Sequence, residues 1–291
     1  MFDVTTEKQI QSYTAIIRNF LNYLLHHDVC PEYEDQIHAA RSTCNLAEKE
    51  LWACKQGSLW LPGDFNTACS TLFGGYYTNM YIGDQAWARD LDIYKGMSTD
   101  AAKRIFKAGL AAQATDEVIN AFTAKTKEQN LAVVSTIATG LEITHLVKAD
   151  DDVLEMYAAQ KPALKPLGRM KARTWYNPTL PKEDLTAEEE IAAAAAPPKI
   201  TEYEVWVEDE VLEKCFVGMK FDATVRELNF GVSYFDTVIG VYCSFYSVLP
   251  NERMIGWREP GPRLPMREKK VDGVVHGVGE DEGAEFEGEE G

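Results

Sequence analysis

The sequence predicts an α+β fold, with an N-terminal helical block packed on a C-terminal, mainly antiparallel sheet. Three observations predict it. Apolar residues recur at steps of three and four through the first 129 residues. After Asn130 the chain turns to β-branched residues and partial alternation. Beyond residue 257 it becomes rich in Pro, Gly and acid. The expected organisation is a helical block over 1–129 and a β-rich part over 130–257 that shares one core with it. Residues 181–199 read as an acidic, Ala-rich insertion or linker, and residues 258–291 as a disordered acidic tail.

The first helix is expected within 5–27. Ile10, Tyr13, Ile17, Phe20, Leu21 and Leu24 fall on one face, which reads as buried, and Cys30-Pro31 stops the helix. Ile37, Ala40, Cys44, Ala47, Leu51 and Cys54 give a second helix with charges opposite, and the short turn between them suggests an antiparallel hairpin. Asp64, after Pro62-Gly63, is placed to cap a third helix that stops at Gly74-Gly75. Residues 76–96 are aromatic and irregular. Ser98 or Thr99 opens a helix to about Ala114, and Thr115 another to about Glu128. The run LAVVSTIATGLEITHLVKA supplies one or two strands. A short helix follows near 151–160, then a strand over 167–176, and strand-like sequence from Tyr203 to Leu249.

Composition excludes several classes. The formal net charge is −17, against sequence-independent binding to a phosphate backbone, although a local basic strip could still dock nucleic acid. Apolar runs are short and broken by charge, so no membrane partner is expected, and no secretory signal pattern is visible. Six cysteines without CxxC spacing read as reduced thiols of a nuclear or cytosolic protein. Phosphate-loop, dinucleotide and nucleophile-elbow signatures are missing. His26, His27, Asp28 and Cys30 cluster in sequence, but with no second ligand pair they read as a helix end rather than a metal site. Asp150-Asp151-Asp152 lacks the alternation and glycine of a calcium loop and reads as a helix N-terminus. No cofactor, metal or catalytic residue is expected. A hydrolase reading would need an acid pair with shifted pKa values gathered in a cleft.

Three features are candidates for binding. The run LPGDFNTACSTLFGGYY, from Leu61 to Tyr77, combines three glycines with aromatics and small polar residues. Its Asp64, Asn66, Phe73, Tyr76 and Tyr77 are candidates for partner contact, against the alternative that they only pack a core. Lys161, Lys165, Arg169, Lys171 and Arg173 precede Trp175 and Tyr176, a basic strip beside aromatics of the kind that holds single-stranded RNA, with Arg169, Lys171, Arg173 and Trp175 as its candidate contacts. The competing reading is an edge strand with Trp175 in the core. Trp257, beside Gly256, is a candidate anchor for a partner pocket.

The stretches FLNYLLHHDVCPEYEDQIHAARSTCNLAEKELW, LPGDFNTACSTLFGGYYTNMY and LKPLGRMKARTW resemble the Argonaute-binding subunit of the fungal Argonaute siRNA chaperone complex, the Arb-one family. The run from EYEVWVEDEV to YSVLPNE adds to the likeness, which covers about residues 15–80 and 165–255. The resemblance implies a non-enzymatic protein that binds Argonaute loaded with duplex small interfering RNA. It implies restraint of slicing and passenger-strand release, a second complex subunit as partner, and a role in heterochromatin formation in nucleus and cytoplasm. Contact with RNA would be indirect, through Argonaute. Family members typically carry a long charged, Lys-rich N-terminal region, whereas this sequence starts almost at the helical block, which leaves direct RNA contact and nuclear import open. The other reading is a standalone single-stranded RNA-binding protein that uses the basic strip.

Overall fold

The computed structural model describes residues 6–82, 96–160, 162–178 and 200–247, together with 186 and 188. The expected insertion at 181–199, apart from those two residues, the tail at 258–291 and Trp257 lie outside the described residues.

Helices dominate the first part. α1 (Glu7–His26) is opened by a reciprocal cap in which the Gln9 amide donates to Thr6 Oγ1 and the Thr6 amide donates to Gln9 Oε1. A 3₁₀ turn (Pro31–Tyr33) leads into α2 (Glu34–Trp60), which runs six residues past the last periodic cysteine. α3 (Asp64–Phe73), α4 (Thr99–Gln113) and α5 (Asp116–Lys127) follow. Ser98 and Thr115 cap α4 and α5 as expected, by accepting the amides of Ala101 and Val118.

The expected helical face of α1 is corrected by the structure. Its periodicity is right, but Tyr13, Ile17 and Phe20 are exposed, and Ile10 and Thr14 are its buried residues. The reason is that α1 carries apolar residues on two faces, and α2 covers only one of them.

The second part is a five-stranded sheet closed into a barrel in the order β1-β2-β3-β5-β4. The strands are β1 (Val133–Val147), β2 (Leu167–Trp175), β3 (Glu202–Glu208), β4 (Lys220–Leu228) and β5 (Ser233–Tyr242). α6 (Asp151–Ala158) lies between β1 and β2, with Asp150 as its cap. A single turn of helix, α7 (Asp209–Leu212), follows β3. β1 is one long strand that serves two neighbours. Its residues from Val133 to Glu142 pair with β4, and those from Gly140 to Val147 pair with β2. All ladders are antiparallel except the closure, where Val205 and Ser233 bring β3 and β5 together in parallel. An open sheet would leave β3 and β5 as edges, and closure removes both.

Alternation along the strands sorts side chains into two clusters. Leu141, Ile143, Met170, Ala172, Val205, Val207, Phe221, Ala223, Val225 and Phe235 form one, joined by Cys54 from α2 and Val211 and Leu212 from α7. Trp206, Leu228 and Tyr234 turn the other way and join Phe65 and Cys69 from α3, Phe106 and Leu110 from α4, and Val153 and Tyr157 from α6. Helices and strands therefore share this second core. None of the six cysteines is in a disulfide.

Candidate functional site

The distinctive run from Leu61 to Tyr77 is built around α3, and two buried carboxyl groups hold the two ends of that helix. Asp64 does not cap it. Gly63 is the N-cap and offers no side chain, and the Phe65 amide instead donates to Glu208 Oε1 at 2.6 Å across 143 residues. Sequence reasoning assigned the cap by proximity, whereas the fold supplies it from β3. At the other end, Asp236 Oδ2 accepts the Ser70 hydroxyl at 2.7 Å and the Tyr76 amide at 2.8 Å, with Arg226 Nε at 3.3 Å.

The glycines make this clamp sterically feasible. A Cβ on Gly63, where φ is +89°, would meet Glu208 Oε2 at 2.2 Å. One on Gly75 would meet Asp236 Oδ2 at 2.1 Å. Between the clamps, Asn66 is fully buried. Its Nδ2 donates to the Pro62 and Trp206 carbonyls at 3.0 and 2.9 Å, and its Oδ1 accepts the Phe235 amide at 3.2 Å.

The five candidates in this run therefore part company. Asn66 is fully buried, and Tyr77 is 7% exposed and lines a cleft beside Tyr76 and Ile239. Phe73 is half-buried and stacks edge-on against Phe106, with ring centres 5.2 Å apart. Asp64 is half-exposed and pairs with Lys165 Nζ at 3.2 Å; Lys165 also reaches Glu210 at 3.5 Å and lies over the Trp60 ring at 5.6 Å. Tyr76 is exposed, with its ring 5.1 Å from that of Tyr77.

Two clefts flank the Leu61-Pro62-Gly63 corner. One, of about 550 Å³, is walled by Leu59, Trp60, Asp64, Met97, Ile105 and Lys165. The other, of about 340 Å³, is walled by Ser58, Tyr76, Tyr77, Met80, Val238 and Ile239. Leu59, Trp60, Tyr76 and Ile239 are large apolar side chains left exposed around them, Ile239 at 81%. Exposed aromatics and aliphatics beside concavities suit a protein partner better than a small polar substrate. Leu59, Trp60 and Ile239 were not picked out in the sequence. Their only signal was an apolar residue at the end of a helix or within a strand, which reads equally well as core.

The basic strip is not free. Arg169, Lys171 and Arg173 share the outer face of β2, but Arg169 and Lys171 lie against Glu204 at 3.6 and 3.4 Å. Arg169 also donates to Gln113, and Arg173 reaches Glu142 at 2.7 Å. Trp175 is half-buried and packs on Tyr242 and Tyr246, with ring centres 5.4 and 6.1 Å away. Its face is thus occupied, and so is the charge beside it. Trp257 lies outside the described residues.

Glu208 is the most perturbed acid. Burial raises its carboxyl from the ordinary 4.5 to about 7, and nearby Asp64 adds to the rise, while the Phe65 amide and Lys165 oppose it. It shares a cleft of about 210 Å³ with Asp64, Arg104 and Tyr157. Glu208 is only 1% exposed, with Oε1 accepting the Phe65 amide and Oε2 buried without a hydrogen-bond partner, while the half-exposed Asp64 pairs with Lys165. Among the described residues no group of three or more His, Cys, Asp or Glu side chains is placed to hold a metal ion. No helix there is long and apolar enough to cross a membrane.

The fold and its surface thus define an α+β barrel protein whose distinctive features are a polar clamp on α3 and apolar-rimmed clefts. Residues 1–260 match the family described as Argonaute siRNA chaperone (ARC) complex subunit Arb1, and the chain belongs to that family. It is similar to a protein of Schizosaccharomyces pombe named Argonaute-binding protein 1, with 35% identity over 83 residues. That segment is 28% of this chain and 21% of the relative, so the likeness spans about a fifth of the relative's length. No solved structure matches the chain.

Proposed function

We propose that this protein is a non-enzymatic, Argonaute-binding regulatory subunit in small-interfering-RNA silencing and heterochromatin assembly. It holds duplex-loaded Argonaute, with a second chaperone-complex subunit, and restrains slicing and passenger-strand release in nucleus and cytoplasm. Membership of the Arb1 family over residues 1–260 carries this reading. The apolar rims at Leu59, Trp60, Tyr76 and Ile239 support a protein rather than an RNA contact, as does the pairing of the β2 cations with glutamates.

The mechanism needs no chemistry on this chain. A partner that binds the duplex-loaded form of Argonaute more tightly than the slicing form shifts the population toward the former. The net charge of −17 steers encounter with a basic, RNA-binding surface.

The test is recovery of an Argonaute protein with tagged protein from cells, with and without RNase. Recovery that resists RNase and falls at least about tenfold in a Trp60→Ala/Tyr76→Ala double variant is expected, since aromatic anchors commonly carry above 1 kcal/mol each. Recovery abolished by RNase would overturn the direct interface and favour the single-stranded RNA reading. Full recovery by the double variant would move the contact elsewhere.

A further inference from the structure

α1 carries a second apolar stripe. Tyr13, Ile16, Ile17, Phe20 and Tyr23 are 44%, 65%, 50%, 58% and 56% exposed, on an arc of the helix that adjoins the buried side of Ile10 and Thr14. Among the described elements, only α2 packs extensively on α1, and it covers that buried side. Tyr13, Ile16, Ile17, Phe20 and Tyr23 follow one another at steps of three, one, three and three, which keeps them on one side of the helix.

We propose that this stripe is the interface for a second copy of the chain, α1 lying antiparallel on its own twofold-related mate, so that two hairpins form a four-helix bundle. The stripe is self-complementary about a point between Ile16 and Ile17. An axis there sets Tyr13 against Phe20, Ile16 against Ile17, and the exposed Glu7 at the helix start against the exposed His26 at the helix end. Aromatic thus meets aromatic and isoleucine meets isoleucine at the centre, as a twofold interface requires, while Tyr23 flanks the seam near the partner copy's largely buried position 10. The electrostatics permit it. From Gln9 to Leu25 the only charged residue is Arg18, and it pairs with Glu48 of α2. Two chains of net charge −17 therefore meet where neither carries uncompensated charge. A lipid surface fits less well, because a helix that lies in a membrane interface carries Lys and Arg on its polar face.

The area sets the strength. Half-exposed side chains of this size offer roughly 100 Å² each, so five from each copy bury about 1,000 Å² in total, the lower bound for a specific interface. A dimer that dissociates at micromolar concentration is the expected state.

The experiment is sedimentation equilibrium of the whole chain across the micromolar range. The expected result is a rise from 32.6 kDa toward twice that mass. Ile16→Lys and Ile17→Glu, both at exposed positions, are each expected to weaken self-association at least about tenfold, with helical circular dichroism unchanged. Mixing the two variants is expected to restore association as a heterodimer, because position 16 of one copy faces position 17 of the other. A monomer at every concentration, including one whose stripe binds vesicles or a segment of its own chain, overturns the proposal. So does a dimer indifferent to both variants, and failure of the mixture to associate overturns the antiparallel register.

Discussion

Replacing Asn66 with alanine removes three hydrogen bonds that join α3 to β3, to β5 and to the turn before the helix. The Phe235 amide loses its acceptor inside a fully buried site, which costs about 1–3 kcal/mol. The Trp206 and Pro62 carbonyls each lose a donor, worth about 0.5–1 kcal/mol apiece. About 3 kcal/mol is expected in all, a large share of the 5–15 kcal/mol that holds a typical domain. At about 2–4 °C per kcal/mol for a chain of this order, the melting midpoint falls by about 6–12 °C. Urea unfolding followed by tryptophan fluorescence suits the measurement, because Trp206 lies 5.4 Å from the Phe65 ring of α3. Tyr76→Ala serves as the comparison, since Tyr76 lies in the same run with its side chain exposed, and it should shift stability by less than about 1 kcal/mol. An Asn66→Ala loss below about 1 kcal/mol would refute the claim that this side chain pins the helix, and would return Asn66 to the list of contact candidates.

Two further expectations follow from the acid and base inventory. Because the Glu208 carboxyl is raised from 4.5 to about 7, the folded protein holds this proton where the unfolded chain has released it. Stability from this group is therefore intact below about pH 4.5 and is lost as pH climbs to 7, by on the order of 3 kcal/mol. Glu208→Gln should flatten that part of the curve and be the more stable form at pH 8; parallel curves for the two proteins would refute it. For the β2 strip, single-stranded RNA titrated at several salt concentrations should give a slope of log affinity on log salt shallower than about −1, since each cation already has a carboxylate. A slope near −2, abolished by Arg169→Ala/Lys171→Ala/Arg173→Ala, would restore the RNA reading.

Local signals carried far in this chain. The caps at Ser98, Thr115 and Asp150 are read within three residues, and the structure uses each of them. The alternation of Arg169, Lys171 and Arg173 with Met170 and Ala172 is enough to place β2 and to turn its charges outward. The polar-to-β-branched change after Asn130 separates the helical block from the strands, because side-chain periodicity and β-branching act within a turn or a pleat.

What the sequence alone could not determine depends on groups far apart along the chain. Glu208 reaches Phe65 across 143 residues and Asp236 reaches Ser70 across 166, so the cap of α3 and the need for Gly63 and Gly75 emerge only once β3 and β5 are docked. Closure of the barrel rests on the single Val205 and Ser233 pairing, which no local pattern encodes. The same limit explains α1. Periodicity identifies an amphipathic helix, but which of its two apolar faces is covered depends on where α2 lies, and α2 leaves Tyr13, Ile17 and Phe20 to the surface. The sequence by itself determined most of the elements, the N-terminal signals of α4, α5 and α6, and the family; tertiary structure decided the cap of α3 and which aromatics and acids are spent inside and which remain outside.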